Sequence, residues 1–135
     1  MPALVVTGSV AMVISLVLAW LLTAVRYLRS PLVTRLFPGS GDLRRGHIDY
    51  LMMAGLLWGV AALAAGLGVV LPAWLQGCLV LGSMLNPAGF VVRAVRPAVS
   101  SSPTTPFGML MAMSFVVTTT GYGGAAWLLA RAALG

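Results

Sequence analysis

A chain of 135 residues with a mean hydropathy of +1.02, 60% hydrophobic residues and 7% charged residues has far too little charge for a soluble domain, where about a quarter of the residues are charged. Its net charge of +6 comes from eight basic residues, all arginine, against two acidic ones, both aspartate. The single cysteine excludes a disulfide framework and a cysteine-based zinc site, and the absence of lysine and glutamate leaves very few side chains able to move a proton or bind a metal.

Four apolar stretches approach or exceed the ~20 residues that a helix needs to cross a bilayer: residues 3–25, 51–71, 75–92 and 107–134. None shows the period-2 alternation of a barrel strand. The expected fold is therefore an all-α integral membrane protein, a four-transmembrane-helix bundle in one domain. Span 1 has no basic residue in its first 25 positions and an apolar run too long for a cleaved signal peptide; its few polar atoms are on Thr7, Ser9, Ser15 and Thr23.

The loop after span 1 holds Arg26, Arg29, Arg35, Arg44 and Arg45, with turns at Ser30-Pro31 and Phe37-Pro38-Gly39-Ser40-Gly41. Asp42 is suited to cap a short helical run leading into span 2. The loop's last residues, Arg44-Arg45-Gly46-His47-Ile48-Asp49-Tyr50, contain the only histidine and one of the two aspartates.

Span 2 is rich in small residues, with Gly55 and Gly59 four apart and then Ala61, Ala62, Ala65, Gly66 and Gly68. Such spacing lets helices approach closely in lipid, within a protomer or between protomers. Span 3 contains Asn86 and Pro87. The proline removes an N–H from the helix ladder and predicts a kink, and the amide must find a partner or face a cavity. Cys78, in the same span, reads as a small buried hydrophobe.

Residues 97–106 form a polar, proline-rich hinge. Span 4 opens with Met109, Met111 and Met113, adaptable packing side chains. Its later segment Thr118-Thr119-Thr120-Gly121-Tyr122-Gly123-Gly124 looks like a potassium-channel filter, but only eleven residues follow it, too few for a second full span. The segment is expected to continue the helix, with threonines bonding back to it and glycines packing closely.

Arg93 and Arg96 follow span 3, whereas only Arg131 lies toward the other side. The positive-inside rule then places segments 26–50 and 93–106 in the cytoplasm and both termini outside, and the Arg-only, Ala/Gly/Leu/Val-heavy usage points to the inner (plasma) membrane of a bacterium. Basic charge so placed meets lipid headgroups, and nucleic acid is not an expected partner.

With span 2 entered near Asp49, a rise of about 1.5 Å per residue puts Asn86 about 10 Å deep and Ser114 level with it. His47, Asp49, Tyr50, Ser83, Asn86 and Ser114 then share the cytoplasmic half. His47 and Tyr50, three apart, share a helix face, and Asp49 is expected to pair with Arg44, Arg45, Arg93 or Arg96. A neutral imidazole is a common metal ligand. One histidine beside arginines suits haem iron, whose propionates take basic partners, better than zinc, which needs three or four protein ligands. The plain alternative is an interfacial histidine with no special role.

Two segments carry a resemblance: Arg45-Gly46-His47 through Met52-Met53-Ala54-Gly55, and Gly82-Ser83-Met84-Leu85-Asn86-Pro87-Ala88-Gly89-Phe90. They are similar to the His-bearing motif at the head of span 2 and the late span-3 motif of the four-span family containing styrene oxide isomerase and the hydroxylaminobenzene mutases. The resemblance implies a homotrimer binding haem b, with His47 as axial ligand and Arg44 and Arg45 as cofactor-binding partners. It further implies ferric iron acting as a Lewis acid on an epoxide oxygen, or a related mutase reaction on small apolar, oxygen-bearing substrates. Asn86, Tyr50 and Asp49 would be the catalytic residues that orient substrate or stabilise charge.

The chain departs from the family pattern at Met53, where the isomerase has asparagine, at Gly82, where it has aspartate, and near Phe90, where it has a pocket tyrosine. A glutathione-dependent four-span transferase, which resembles the chain in an Arg-x-His near the head of span 2 but also uses a glutamate and an asparagine in that span, where this chain has neither, is one alternative. A non-catalytic membrane assembly subunit is the other.

Overall fold

The computed structural model describes residues 1–135 as five helices and no strand: α1 (Pro2–Arg26), α2 (Pro31–Leu36), α3 (Ser40–Gly66), α4 (Ala73–Val95) and α5 (Pro106–Leu134). Three of these helices open on proline, whose missing N–H is no loss at the first helical position. Ser30 and Thr105 precede two of the prolines and accept from the backbone N–H of Val33 and Gly108 at 3.5 and 3.1 Å. These bonds satisfy N–H groups that the helix itself leaves without partners.

α3 begins well before the apolar run. The short helical run expected before span 2 begins at Ser40 and is continuous with the span, and the helix stops at Gly66 rather than residue 71. Asp42 does not cap it; Gly39 occupies that position. Asp42 lies in the first turn, where a carboxylate complements the positive end of the helix dipole. Its two oxygens pair with Arg45 at 3.2 Å and Arg93 at 3.3 Å.

The foot of α3 is tied to the end of α4 by the Gly39 N–H, which donates to the Ala94 carbonyl at 2.9 Å. A Cβ at position 39 would lie 2.9 Å from both Ala94 Cα and the Arg93 carbonyl oxygen. Glycine is therefore what permits the contact.

The long helices run antiparallel in the order α1, α3, α4, α5; α1 also touches α4, whereas α5 packs on α4 and barely meets α3. Two apolar clusters fill the interior. One joins Leu4, Leu57, Leu71, Leu75, Leu79 and Leu129 at the end that holds the N-terminus. The other joins Ala11, Leu18, Leu43, Tyr50, Ala54 and Ala94 toward the arginine-rich end.

Only 26 of 135 residues are buried, and the sides of the bundle are covered by exposed apolar groups such as Val13, Trp20, Met113, Phe115 and Trp127. An apolar exterior with the backbone bonded within helices is what a bilayer requires. α1, α3 and α4 are each long and apolar enough to cross a membrane. α5 is longer, but Thr118–Thr120 and Gly121, Gly123 and Gly124 dilute its apolar character.

The filter-like segment is ordinary helix. Thr118 Oγ1 donates to the Ser114 carbonyl at 2.7 Å, and Gly121 approaches the backbone of Cys78 and Leu79.

Candidate functional site

Among the polar residues of α1, Ser15 is the fully buried one, and it faces His47 on α3. The His47 Nδ1 lies 2.9 Å from the Ser15 carbonyl oxygen and 2.9 Å from its Oγ. In return Ser15 Oγ donates to the His47 carbonyl at 3.0 Å. A carbonyl can only accept, so the proton sits on Nδ1 and the lone pair on Nε2. Nε2 has no partner in the protein, and no buried side-chain nitrogen or oxygen in the structure lacks one; Nε2 is therefore open at the bundle surface.

Arg44, one turn before His47 and near it on the helix surface, is exposed and in no ion pair. Arg45 is engaged by Asp42 instead. No three His, Cys, Asp or Glu side chains come together anywhere in the chain.

Asp49 turns toward α4. It meets no arginine, contrary to the expected pairing; the Asn86 Nδ2 donates to its Oδ2 at 3.3 Å. Arg45 and Arg93 pair instead with Asp42, in the first turn of α3. Tyr50 is 4% exposed, and its hydroxyl donates to the Met84 carbonyl at 3.1 Å. That bond braces α4 three residues before Pro87, where the helix continues with one N–H missing.

Ser83 and Tyr122 share a hydroxyl–hydroxyl bond of 2.8 Å. Ser114, although level with Asn86 in the antiparallel register, donates to its own helix at the Met111 carbonyl.

Two cavities lie near these groups. An apolar groove of about 480 Å³ between α1 and α4 has Tyr50 among its lining residues and Arg96 at its end. A smaller cavity of about 210 Å³ between α4 and α5 is lined by Asn86, Phe90, Arg93, Phe107, Met111 and Phe115, with Ser101 of the proline-rich hinge at its edge. Neither includes His47. The expected site is thus divided, with His47 clasped to α1, Asp49 and Asn86 paired across α3 and α4, and Tyr50 holding α4.

The three departures from the family pattern have distinct settings. Met53 is core, at 6% exposure. Phe90 lines the smaller cavity. At Gly82 an added Cβ would lie 2.6 Å from Thr118 Oγ1 and 2.7 Å from Thr118 Cα, so no aspartate fits there without parting α4 from α5.

Sequence reasoning missed Ser15 and the ion-pair role of Asp42. The signal for Ser15 was available, since a histidine entering a span needs a partner for one ring nitrogen. Compared with known proteins, the chain matches no family model, no curated protein and no solved structure.

Proposed function

We propose that the chain is a four-span membrane protein, with α5 as the fourth span, that binds haem b through His47 and isomerises small apolar, oxygen-bearing substrates, as an epoxide isomerase or a related mutase. The observation that carries this reading is the Ser15–His47 clasp. A metal-ligating histidine commonly gives one ring N–H to a carbonyl, which fixes the tautomer and turns the other nitrogen outward. His47 is held in that way, by a serine buried in an apolar helix. One histidine ligand is enough for haem iron, and the unpaired Arg44 one turn away is suited to a propionate. Bound ferric haem supplies a Lewis acid toward a substrate oxygen.

Asn86, held by Asp49, presents an amide to the α4–α5 cavity and orients substrate there. Tyr50 maintains the α3–α4 spacing on which that pair depends. Because His47 lies outside both neighbouring cavities of a single chain, the proposal includes assembly into a homotrimer that encloses the iron site. The arginine-rich end is assigned to the cytoplasmic side of a bacterial inner membrane, with both termini outside.

The test is an absorption spectrum of the detergent-purified protein, as isolated and after addition of haem, beside a His47→Ala variant. A Soret band in the wild type that shifts or disappears in the variant is expected, and a screen of epoxides and hydroxylamines then separates the isomerase from the mutase reading. Failure of the wild type to take up haem overturns the reading and leaves an assembly subunit as the better account.

A further inference from the structure

The cavity between α4 and α5 has a shape and polarity that its occupant must match. Three of its walls are the rings of Phe90, Phe107 and Phe115, joined by the thioether of Met111. Rings and sulfur favour an aromatic guest through edge, stacking and sulfur contacts. Its volume, about 210 Å³, lies below the ~300–1,000 Å³ of sites for drug-sized ligands. One ring fits that space better than a fused pair or a long acyl chain.

Three polar side chains line the cavity: Asn86, Arg93 and, at its exposed edge, Ser101. Asn86 and Arg93 are seven residues apart on α4, so they share a face and stand about 10 Å apart along the axis. The Asn86 nitrogen is committed to the Asp49 carboxylate, which as a carboxylate only accepts. The atom left is Oδ1, itself an acceptor, with no partner in the protein; it is not fully buried, and its residue lines the cavity. At the other end, Asp42 meets the charge of Arg93 at 3.3 Å. The inner end therefore asks for a hydrogen-bond donor, while the outer end does not ask for an anion.

We infer that this cavity binds an uncharged single-ring arene bearing a hydroxyl group, its ring among the three phenylalanines and its O–H donating to Asn86 Oδ1. The inference rests on Asn86 being a substrate-facing residue, as proposed above, and is independent of His47 and of iron. It narrows the substrate class, because an ether or epoxide oxygen of the same size only accepts and leaves Oδ1 unpaired.

The isomers 4-fluorobenzyl alcohol and 4-fluoroanisole separate these cases, since they have equal atom counts and differ in whether the oxygen can donate. Binding of each to the full chain in lipid nanodiscs is measured by fluorine NMR, with empty nanodiscs correcting for partition into lipid. The alcohol is expected to bind about two- to tenfold more tightly, the range of one net hydrogen bond.

Asn86→Leu is expected to abolish that preference while the anisole still binds. Ser101→Trp, an exposed change at the cavity edge, is expected to remove saturable binding of both probes, and it carries the test if Asn86→Leu does not fold. Equal affinities for the two isomers, a preference that survives Asn86→Leu, binding that ignores Ser101→Trp, or no saturable binding at all overturns the inference. His47→Ala is expected to keep the preference, so loss of the Soret band and loss of the alcohol preference are separate failures.

Discussion

Ser15 and His47 hold one another in both directions: the Nδ1 proton goes to the Ser15 carbonyl at 2.9 Å, and the Ser15 hydroxyl donates back to the His47 carbonyl at 3.0 Å. The backbone half of this clasp does not depend on the serine side chain; the hydroxyl half does. Two substitutions can therefore take it apart in stages.

Ser15→Ala is expected to keep the imidazole orientation but lose the hydroxyl bond, lowering stability by about 1 kcal/mol. In a preparation loaded with haem it is expected to weaken retention roughly tenfold, the lower range for loss of an outer-shell partner of a metal ligand. On the proposed haem reading, His47→Ala shifts or removes the Soret band. Thermal unfolding and haem titration on the two variants check both statements, and equal behaviour of the two would place the iron elsewhere.

Asp42 serves two arginines with unequal exposure. The Arg45 side chain is 62% exposed and the Arg93 side chain 31%, while Asp42 is 14% exposed. Exposed pairs are worth about 0–1 kcal/mol, so Arg45→Gln is expected to leave the melting temperature nearly unchanged. Arg93→Gln and Asp42→Asn are expected to cost more, on the order of 1 kcal/mol each, because they unpin the foot of α3 from the end of α4. Melts of the three variants in one detergent, at low and high salt, give the order; a larger loss for Arg45→Gln would contradict it.

What could be read from the sequence follows from which interactions are local. Long helices come from runs of apolar residues, and α1, α4 and α5 fall within a few residues of the expected stretches. For α3 the apolar run begins only at Leu51, after Asp42, Arg44 and Arg45, so hydropathy does not show that the short helix before it and the span are one continuous helix from Ser40. The level of Asn86 followed from counting residues, but its partner did not. Whether Asp49 turns to an arginine or to Asn86 depends on helix rotation, which hydropathy does not encode. The need of the His47 ring for a partner is legible in the sequence, but which of the several hydroxyls in α1 meets it depends on the same rotation.

Glycines that look alike in the sequence differ in what surrounds them. A Cβ on Gly82 meets the backbone of Thr118, whereas one on Gly55 or Gly59 meets nothing within 4 Å. Gly82→Ala is expected to destabilise the bundle by about 1–3 kcal/mol through overpacking. Gly59→Ala is expected to be neutral or stabilising in a single chain, given the poor helix propensity of glycine. Comparing unfolding with the size of the detergent-solubilised particle separates the two effects. If Gly59→Ala leaves the fold intact but reduces the particle to one chain, that face joins the copies of the proposed homotrimer.

The Asp49–Asn86 pair offers a test by double substitution. Removing one partner strands the other, and an unsatisfied polar group in a low-dielectric setting costs about 1–3 kcal/mol, more when it is charged. Asp49→Leu and Asn86→Leu are thus each expected to destabilise the protein, with Asn86→Leu the worse because it leaves a carboxylate without its donor. The double variant removes both demands and is expected to recover much of the loss, giving a coupling of about 0.5–3 kcal/mol for groups in direct contact. The cycle is read by chemical unfolding of the four proteins under one condition. Additive losses would mean that the 3.3 Å contact contributes nothing to stability, and that neither side chain is held in place for a guest in the neighbouring cavity.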